Sequence, residues 1–104
     1  HMTGNPAQKA SFDLGPLVAT PGAMEALERT GTHALDLIRR HVRGDWGELC
    51  DEDRAANESA LSTGARLMSV YRLSDGTVIW VITDAEIDGK HHRQATTLLL
   101  PDEY

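Results

Sequence analysis

The sequence predicts an α+β domain in which two to three N-terminal helices pack on a C-terminal three- or four-stranded antiparallel β-meander. Three observations lead there. Between Thr20 and Gly64 apolar residues recur three and four apart in segments that close on glycine, which is the spacing of one helix face and the residue that ends a helix most easily. From Arg66 onward the segments turn rich in β-branched and aromatic residues and have the length of strands. Asp75-Gly76 joins two such runs, where glycine takes the positive φ of a tight hairpin turn.

Thr20-Pro21 opens the first helix. The threonine oxygen accepts from a free N–H of the first turn, and proline at the first helical position gives up no needed donor. The helix runs through Met24 and Leu27 and stops at Gly31. Ahead of it, Leu17-Val18-Ala19 reads as an edge strand or an extended lead-in. Thr32 is placed to cap a second helix from His33 to Arg43, with Leu35, Ile38 and Val42 as its apolar stripe and Ala34, Leu37 and His41 at the border. Arg39, Arg40 and Arg43 suit the negative pole of that helix, and Gly44 ends it. Gly44-Asp45-Trp46-Gly47 is a turn carrying one large aromatic anchor.

A third helix spans Asp51 to Thr63, with acidic residues in its first turn and Ala56, Ala60 and Leu61 as its small apolar face. Strands follow at Arg66–Leu73, Thr77–Thr83 and Ala95–Leu100, the last ended by Pro101. The middle one is apolar on both faces, so it is central and needs cover on each side. Val78, Trp80, Ile82, Leu98 and Leu100 are core candidates.

At 104 residues the chain has room for one core. Residues 1–16 are expected to form a flexible arm, in which His1-Met2 looks like a tag remnant, and 17–104 a single domain. One cysteine, Cys50, excludes an internal disulfide; with no long apolar run, the expected compartment is the cytoplasm and no membrane partner is implied. The net charge of −6 argues against a broad basic face for nucleic acid.

Several residues carry potential chemistry. Asp84-x-Glu86-x-Asp88-Gly89 imitates the start of a calcium loop, but position twelve is Ala95 and strands rather than helices flank it. His91-His92 lack a matching set of ligands, and His33 and His41 lie two helical turns apart, so no metal and no cofactor is expected. Cys50 reads as an inert thiol sooner than as a nucleophile served by His41, because carboxylates crowd it. Asp51, Glu52 and Asp53 fan outward from a helix and complement its dipole, while Asp53 and Asn57 are placed to brace the Trp46 turn.

Thr20-Pro21-Gly22-Ala23, Gly44-Asp45-Trp46-Gly47, Asp53 with Asn57, Gly64-Ala65-Arg66, Asp75-Gly76-Thr77, Trp80-Val81-Ile82-Thr83 and Thr96-Thr97-Leu98-Leu99-Leu100-Pro101 occur together in this order. The set resembles a family of short bacterial proteins of uncharacterised activity, often carried on plasmids or genomic islands and labelled "plasmid-related". The resemblance covers residues 17 to 104 and brings no activity with it. It implies a short Ala-Asp-Arg-Ser-like turn between the second and third strands; this chain has the longer Asp84–Gln94 segment, with Arg93 as counterpart of the turn arginine.

Two functions are compatible with these residues. A small accessory or protein-interaction module of mobile-element type, binding a protein partner or a second copy, would use Trp46, Trp80 and an uncovered sheet face or edge. A toxin-like, metal-independent ribonuclease, the reading in which nucleic acid is a partner, would draw its base, acid and cations from Arg66, Tyr71, His92 and Arg93, with Arg72 and Thr96 nearby.

Overall fold

A computed structural model describes residues 12–87 and 89–104. Its elements are β1 (Leu17–Ala19), α1 (Pro21–Thr30), α2 (Ala34–Val42), α3 (Asp51–Thr63), β2 (Leu67–Arg72), β3 (Val78–Thr83), β4 (Thr96–Leu99) and a closing 3₁₀ turn, Pro101–Glu103. The sheet order is β1-β4-β3-β2. The α+β class holds, but the sheet is mixed: β2, β3 and β4 form the expected antiparallel meander, and β1 joins parallel to β4. Part of the helical structure also follows the sheet, in the closing turn. The correction comes from Leu17–Ala19, which is an edge strand and not a lead-in. Of the expected arm, residues 1–11 lie outside the described residues; Phe12, Asp13 and Leu14 already contact the domain.

Helix α1 begins as expected, with the Thr20 hydroxyl accepting from Ala23 N, and ends at Gly31 in the left-handed region. It buries Ala23, Ala26 and Leu27, leaving Met24 outside. Helix α2 differs from its forecast in two ways. Its N-cap is His33, since the Thr32 hydroxyl is engaged with that of Thr30. Its buried face is Leu37, Ile38 and His41, rotated from the stripe expected, so Leu35 points to solvent. In α3 the buried residues are Asn57 and Ala60.

The sheet's inner face presents Ser69, Tyr71, Ile79, Val81, Thr83, Thr96 and Leu98 to the helices, and α1 and α2 close over it to form the main core. Trp46, Ala60 and Leu67 make a second, smaller cluster with Phe12, Leu49 and Leu61 against them. Of the core candidates, Ile82 and Leu98 are buried, whereas Val78, Trp80 and Leu100 are half-buried. The outer face is covered in part by the C-terminal turn: Tyr104 meets Trp80 edge-on at 5.5 Å between ring centroids, and Arg66 lies over the Tyr104 ring and donates to its hydroxyl.

That turn also explains Thr20-Pro21-Gly22. Helix α1 has no acid of its own in its first turn. The Glu103 carboxylate supplies one, accepting from the Thr20 hydroxyl, from Gly22 N at 3.0 Å and from Leu100 N at 2.9 Å. These donors hold its pKa below the ordinary glutamate value, the Thr20 hydroxyl contributing most. A Cβ on Gly22 would stand 2.6 Å from the Glu103 carboxylate and 2.8 Å from Leu100 Cδ1, so glycine is what admits the acid to the helix end.

The β2 edge is closed by side chain and loop. The Asn57 amide donates to Met68 O at 2.7 Å and accepts from Met68 N at 3.1 Å, standing in for a strand. One step along, Val70 N donates to Trp46 O at 3.0 Å and Glu48 N donates to Val70 O at 2.7 Å. Gly47 makes this approach possible: its φ is +75°, and a Cβ there would lie 1.9 Å from Val70 O.

Gly22→Ala sets a helix-propensity gain of up to about 1 kcal/mol against the Glu103 contact. In a Glu103→Ala background only the gain and the Leu100 contact remain. Urea unfolding of both single variants and the double variant should therefore show Gly22→Ala as more favourable without Glu103 than with it; strict additivity would mean that the two residues do not meet.

Candidate functional site

Four polar side chains sit together inside the core. His41 comes from α2, Ser69 from β2, Thr83 from β3 and Thr96 from β4, and all are buried on the inner face. The Thr96 hydroxyl donates to Leu14 O at 2.7 Å, which leaves its oxygen to accept from the Thr83 hydroxyl, also at 2.7 Å. The Thr83 oxygen then accepts from His41 Nε2–H at 2.9 Å, and His41 Nδ1 accepts from the Ser69 hydroxyl at 2.6 Å. One carbonyl thus sets the direction of the whole relay and the neutral Nε2–H tautomer of the imidazole. Phe12 and Trp46 meet the ring edge-on at 5.4 and 5.6 Å. Burial, reinforced by the charge of Arg93, pushes the His41 pKa down to about 4. A Ser–His pair invites a nucleophilic reading, but this one has no path to a substrate: neither residue reaches solvent. Its chemistry is structural.

Arg93 is the second buried group. Its Nη1 donates to Ala65 O at 2.7 Å and Asp84 O at 3.0 Å, its Nη2 lies 3.9 Å from Glu86, and its own N–H donates to Asp13 at 3.1 Å. The guanidinium lies 5.8 Å over the Phe12 ring. It clamps the start of β2, the end of β3 and the N-terminal segment together. Glu86 is folded inward, with its N–H on Gly64 O and its carboxylate 3.1 Å from His91, while Ala85, Ile87 and residues 89–92 around it are exposed. Asp88 lies outside the described residues. No three His, Cys, Asp or Glu side chains among the described residues stand together in a way that would hold a metal ion.

The residues considered for ribonuclease chemistry go to different places. Tyr71 is buried beneath Arg40, 4.4 Å from the guanidinium to its ring, and donates to Asp45 O; burial raises its pKa. Arg66 is on the outer face with Tyr104. Arg93 is buried among backbone carbonyls, and His92 is exposed, 4.0 Å from Asp13. Arg72 pairs with Glu48 at 3.1 Å. Cys50 is exposed at the N-cap of α3 while His41 is wholly buried in its relay, so the two form no pair. Of the proposed interaction residues, Trp46 is 2% exposed and donates to Glu58, so it presents no surface to a partner; Trp80 is half-buried beneath Tyr104.

Besides Ile87 and Tyr104, the large apolar side chains that the described residues expose lie on β1, α1 and α2. Leu17 and Val18 are each 47% exposed, Met24 60% and Leu35 56%. The bonds Thr96 N to Pro16 O and Thr20 N to Leu98 O fix the register, in which Val18 faces β4 and the peptide groups of Leu17 and Ala19 face away. Among the described residues nothing pairs with that edge. Beside it lies a groove of about 720 Å³ whose walls include Ala19, Met24, Leu27 and Ala34, with Glu25 and Glu28 at its rim. The apolar run 17–19 and the exposed Met24 were the available signals in the sequence, but a three-residue strand next to a helix becomes a surface only once its partner strand is known.

Two outcomes test the buried groups. A neutral buried His41 contributes stability that is present above its unfolded pKa of 6.5 and is lost as pH falls toward about 4. The shift corresponds to ~3 kcal/mol. The carboxylates of Asp13, Asp45, Asp75 and Glu103 have lowered pKa values, so their losses set in as pH falls through the ordinary carboxylate range, at the acid end of this window, and continue below it. Urea unfolding between pH 7 and 4.5 should show a decline in the native protein and a flat response in His41→Gln, and equal slopes would contradict the neutral assignment. Arg93→Met should cost on the order of 2–4 kcal/mol, with Arg93→Lys unable to restore it, because a single ammonium cannot reproduce the forked bonds.

In comparisons with known proteins, no family model, no curated protein and no solved structure matches this chain.

Proposed function

We propose that the protein is a small cytoplasmic interaction module, an accessory of mobile-element type that acts by binding another protein. The observation that carries this is the contrast between the two sheet edges. At β2, both outward peptide groups of Met68 and both of Val70 are bonded by Asn57 and by the Trp46–Glu48 turn. At β1, the outward groups of Leu17 and Ala19 have no partner among the described residues and lie among exposed apolar side chains. Edges left open in this way are templates for another chain. The lone cysteine and the lack, among the described residues, of any helix long and apolar enough to cross a membrane support the compartment. The mobile-element assignment rests on the motif resemblance between residues 17 and 104. The dispersal of Arg66, Tyr71, His92 and Arg93 is why binding is preferred to ribonuclease catalysis.

The test places a photocrosslinking amino acid at Met24 or Leu35 and, as a control, at the exposed Ser74 on the β2–β3 hairpin turn, which does not line the groove, in the full chain expressed in a bacterial host. A discrete protein adduct from Met24 and Leu35 and none from Ser74 is the expected result. No adduct at any position, together with RNA cleavage by the purified protein that Arg66→Ala removes, would replace this reading with the nuclease one.

A further inference from the structure

The open edge and the groove beside it are close enough to act on one ligand, and their chemistry restricts what that ligand is. We infer that β1 accepts an extended segment of another protein as a fifth strand, with an apolar side chain of that segment seated in the groove and lysine or arginine beside it. This rests on the interaction reading above and makes it specific.

The backbone requirement comes first. Leu17 and Ala19 each present one N–H and one C=O outward, so the edge offers four hydrogen-bonding groups in a row. On the outward side Gly15 N is engaged by the Asp13 carboxylate at 3.3 Å and Pro21 has no N–H, which confines pairing to this short stretch. So short a backbone match gives modest affinity by itself, and side chains must supply the rest. Strand side chains alternate between faces, so every second residue of an added strand points to the helical side. There the groove between Ala19, Met24, Leu27 and Ala34 offers an apolar seat.

Charge decides the remainder. Glu25 and Glu28 line the groove and no Lys or Arg does. The nearest cation on α1, Arg29, is turned to Asp75 at 3.0 Å and Thr77 at 3.1 Å, with Glu25 further off at 3.7 Å. Glu28 has no ion-pair partner among the described residues. A second copy of this chain is a poor occupant, because two-fold pairing through β1 would bring equivalent glutamates into one interface on chains of net charge −6. A basic, apolar, extended segment meets all three conditions.

The probe is the capped peptide Lys-Val-Leu-Val-Lys, titrated into the isotopically labelled full chain and followed by amide NMR shifts. Shifts at Leu17, Ala19 and Met24, with binding at least tenfold tighter than for the Glu-Val-Leu-Val-Glu counterpart, are expected. Two further peptides, N-methylated on alternate amides, discriminate strand addition from other modes. One should lose at least tenfold and the other should bind nearly as the parent does. Glu25→Lys with Glu28→Lys should invert the preference toward the acidic peptide. Equal loss with both methylated peptides, shifts elsewhere on the surface, no peptide preference, or a concentration-dependent dimer through β1 would each overturn the inference. If crosslinks at Met24 persist while these peptide results fail, the surface is an interface of another kind; if both fail, the interaction reading falls with it.

Discussion

The pairing of β1 with β4 is the constraint on which the rest of the molecule depends. It joins segments separated by most of the chain, and closing a loop of roughly 80 residues costs on the order of 4 kcal/mol in chain entropy. A three-residue parallel ladder returns about 1 kcal/mol net per hydrogen bond, so the backbone bonds alone roughly offset that cost. Side chains make the pairing favourable. Ala19 and Leu14 pack against the main core, the Thr96 hydroxyl holds Leu14 O, and Glu103 binds the start of α1 directly after the strand.

The same pairing fixes where the molecule is closed and where it is open. With β1 at one end of the sheet, β4 is interior and the chain after it must fold back. Pro101–Glu103 does so across the outer face, carrying Tyr104 to Trp80 and Glu103 to Gly22. At the other end β2 would be a bare edge, but Asn57 and the Gly47 approach occupy it. Two devices on different elements protect one edge, while Leu17–Ala19 carries neither a charge nor a bulge. The asymmetry makes the β1 edge a surface of interest in a way that exposure by itself would not.

What could be read in advance follows the range of the interactions. The β2–β3 hairpin was legible because Asp75 and Gly76 determine it locally: Asp75 accepts from Thr77 N, and Gly76 sits at φ +90°. The ends of α1 were legible for the same reason. The parity of α2 was not. Leu35, Ile38 and Val42 make a good apolar stripe, yet the helix turns His41 inward with Leu37, because hydroxyls 28 and 42 residues further along satisfy the imidazole. A signal for this exists in the strands: Ser69, Thr83 and Thr96 share the face of Tyr71, Val81 and Leu98, so three hydroxyls occur where only apolar groups would otherwise be expected. Arg93 was legible as a distinctive residue of its loop but not as a buried clamp, since its partners are backbone carbonyls, which leave no trace in the side-chain pattern.

The buried relay and the open edge are connected. A histidine among hydroxyls gains little stability over a well-packed apolar core, so its consequence lies in specificity. A one-residue slip of β2 or β3 would turn Ser69 or Thr83 to the outer face and take a partner from the imidazole, and a slip of β4 would take Thr96 from Thr83. The relay therefore holds three strands in register with α2, and it ends on the carbonyl of Leu14, three residues before β1. The N-terminal segment is thus positioned by a polar group whose geometry is set in the core, while Asp13 is held by the Arg93 backbone N–H on the neighbouring turn. An edge of three residues has too few bonds of its own to stay in place. It is held from behind, and this leaves its outward groups unspent among the described residues and fixed in direction.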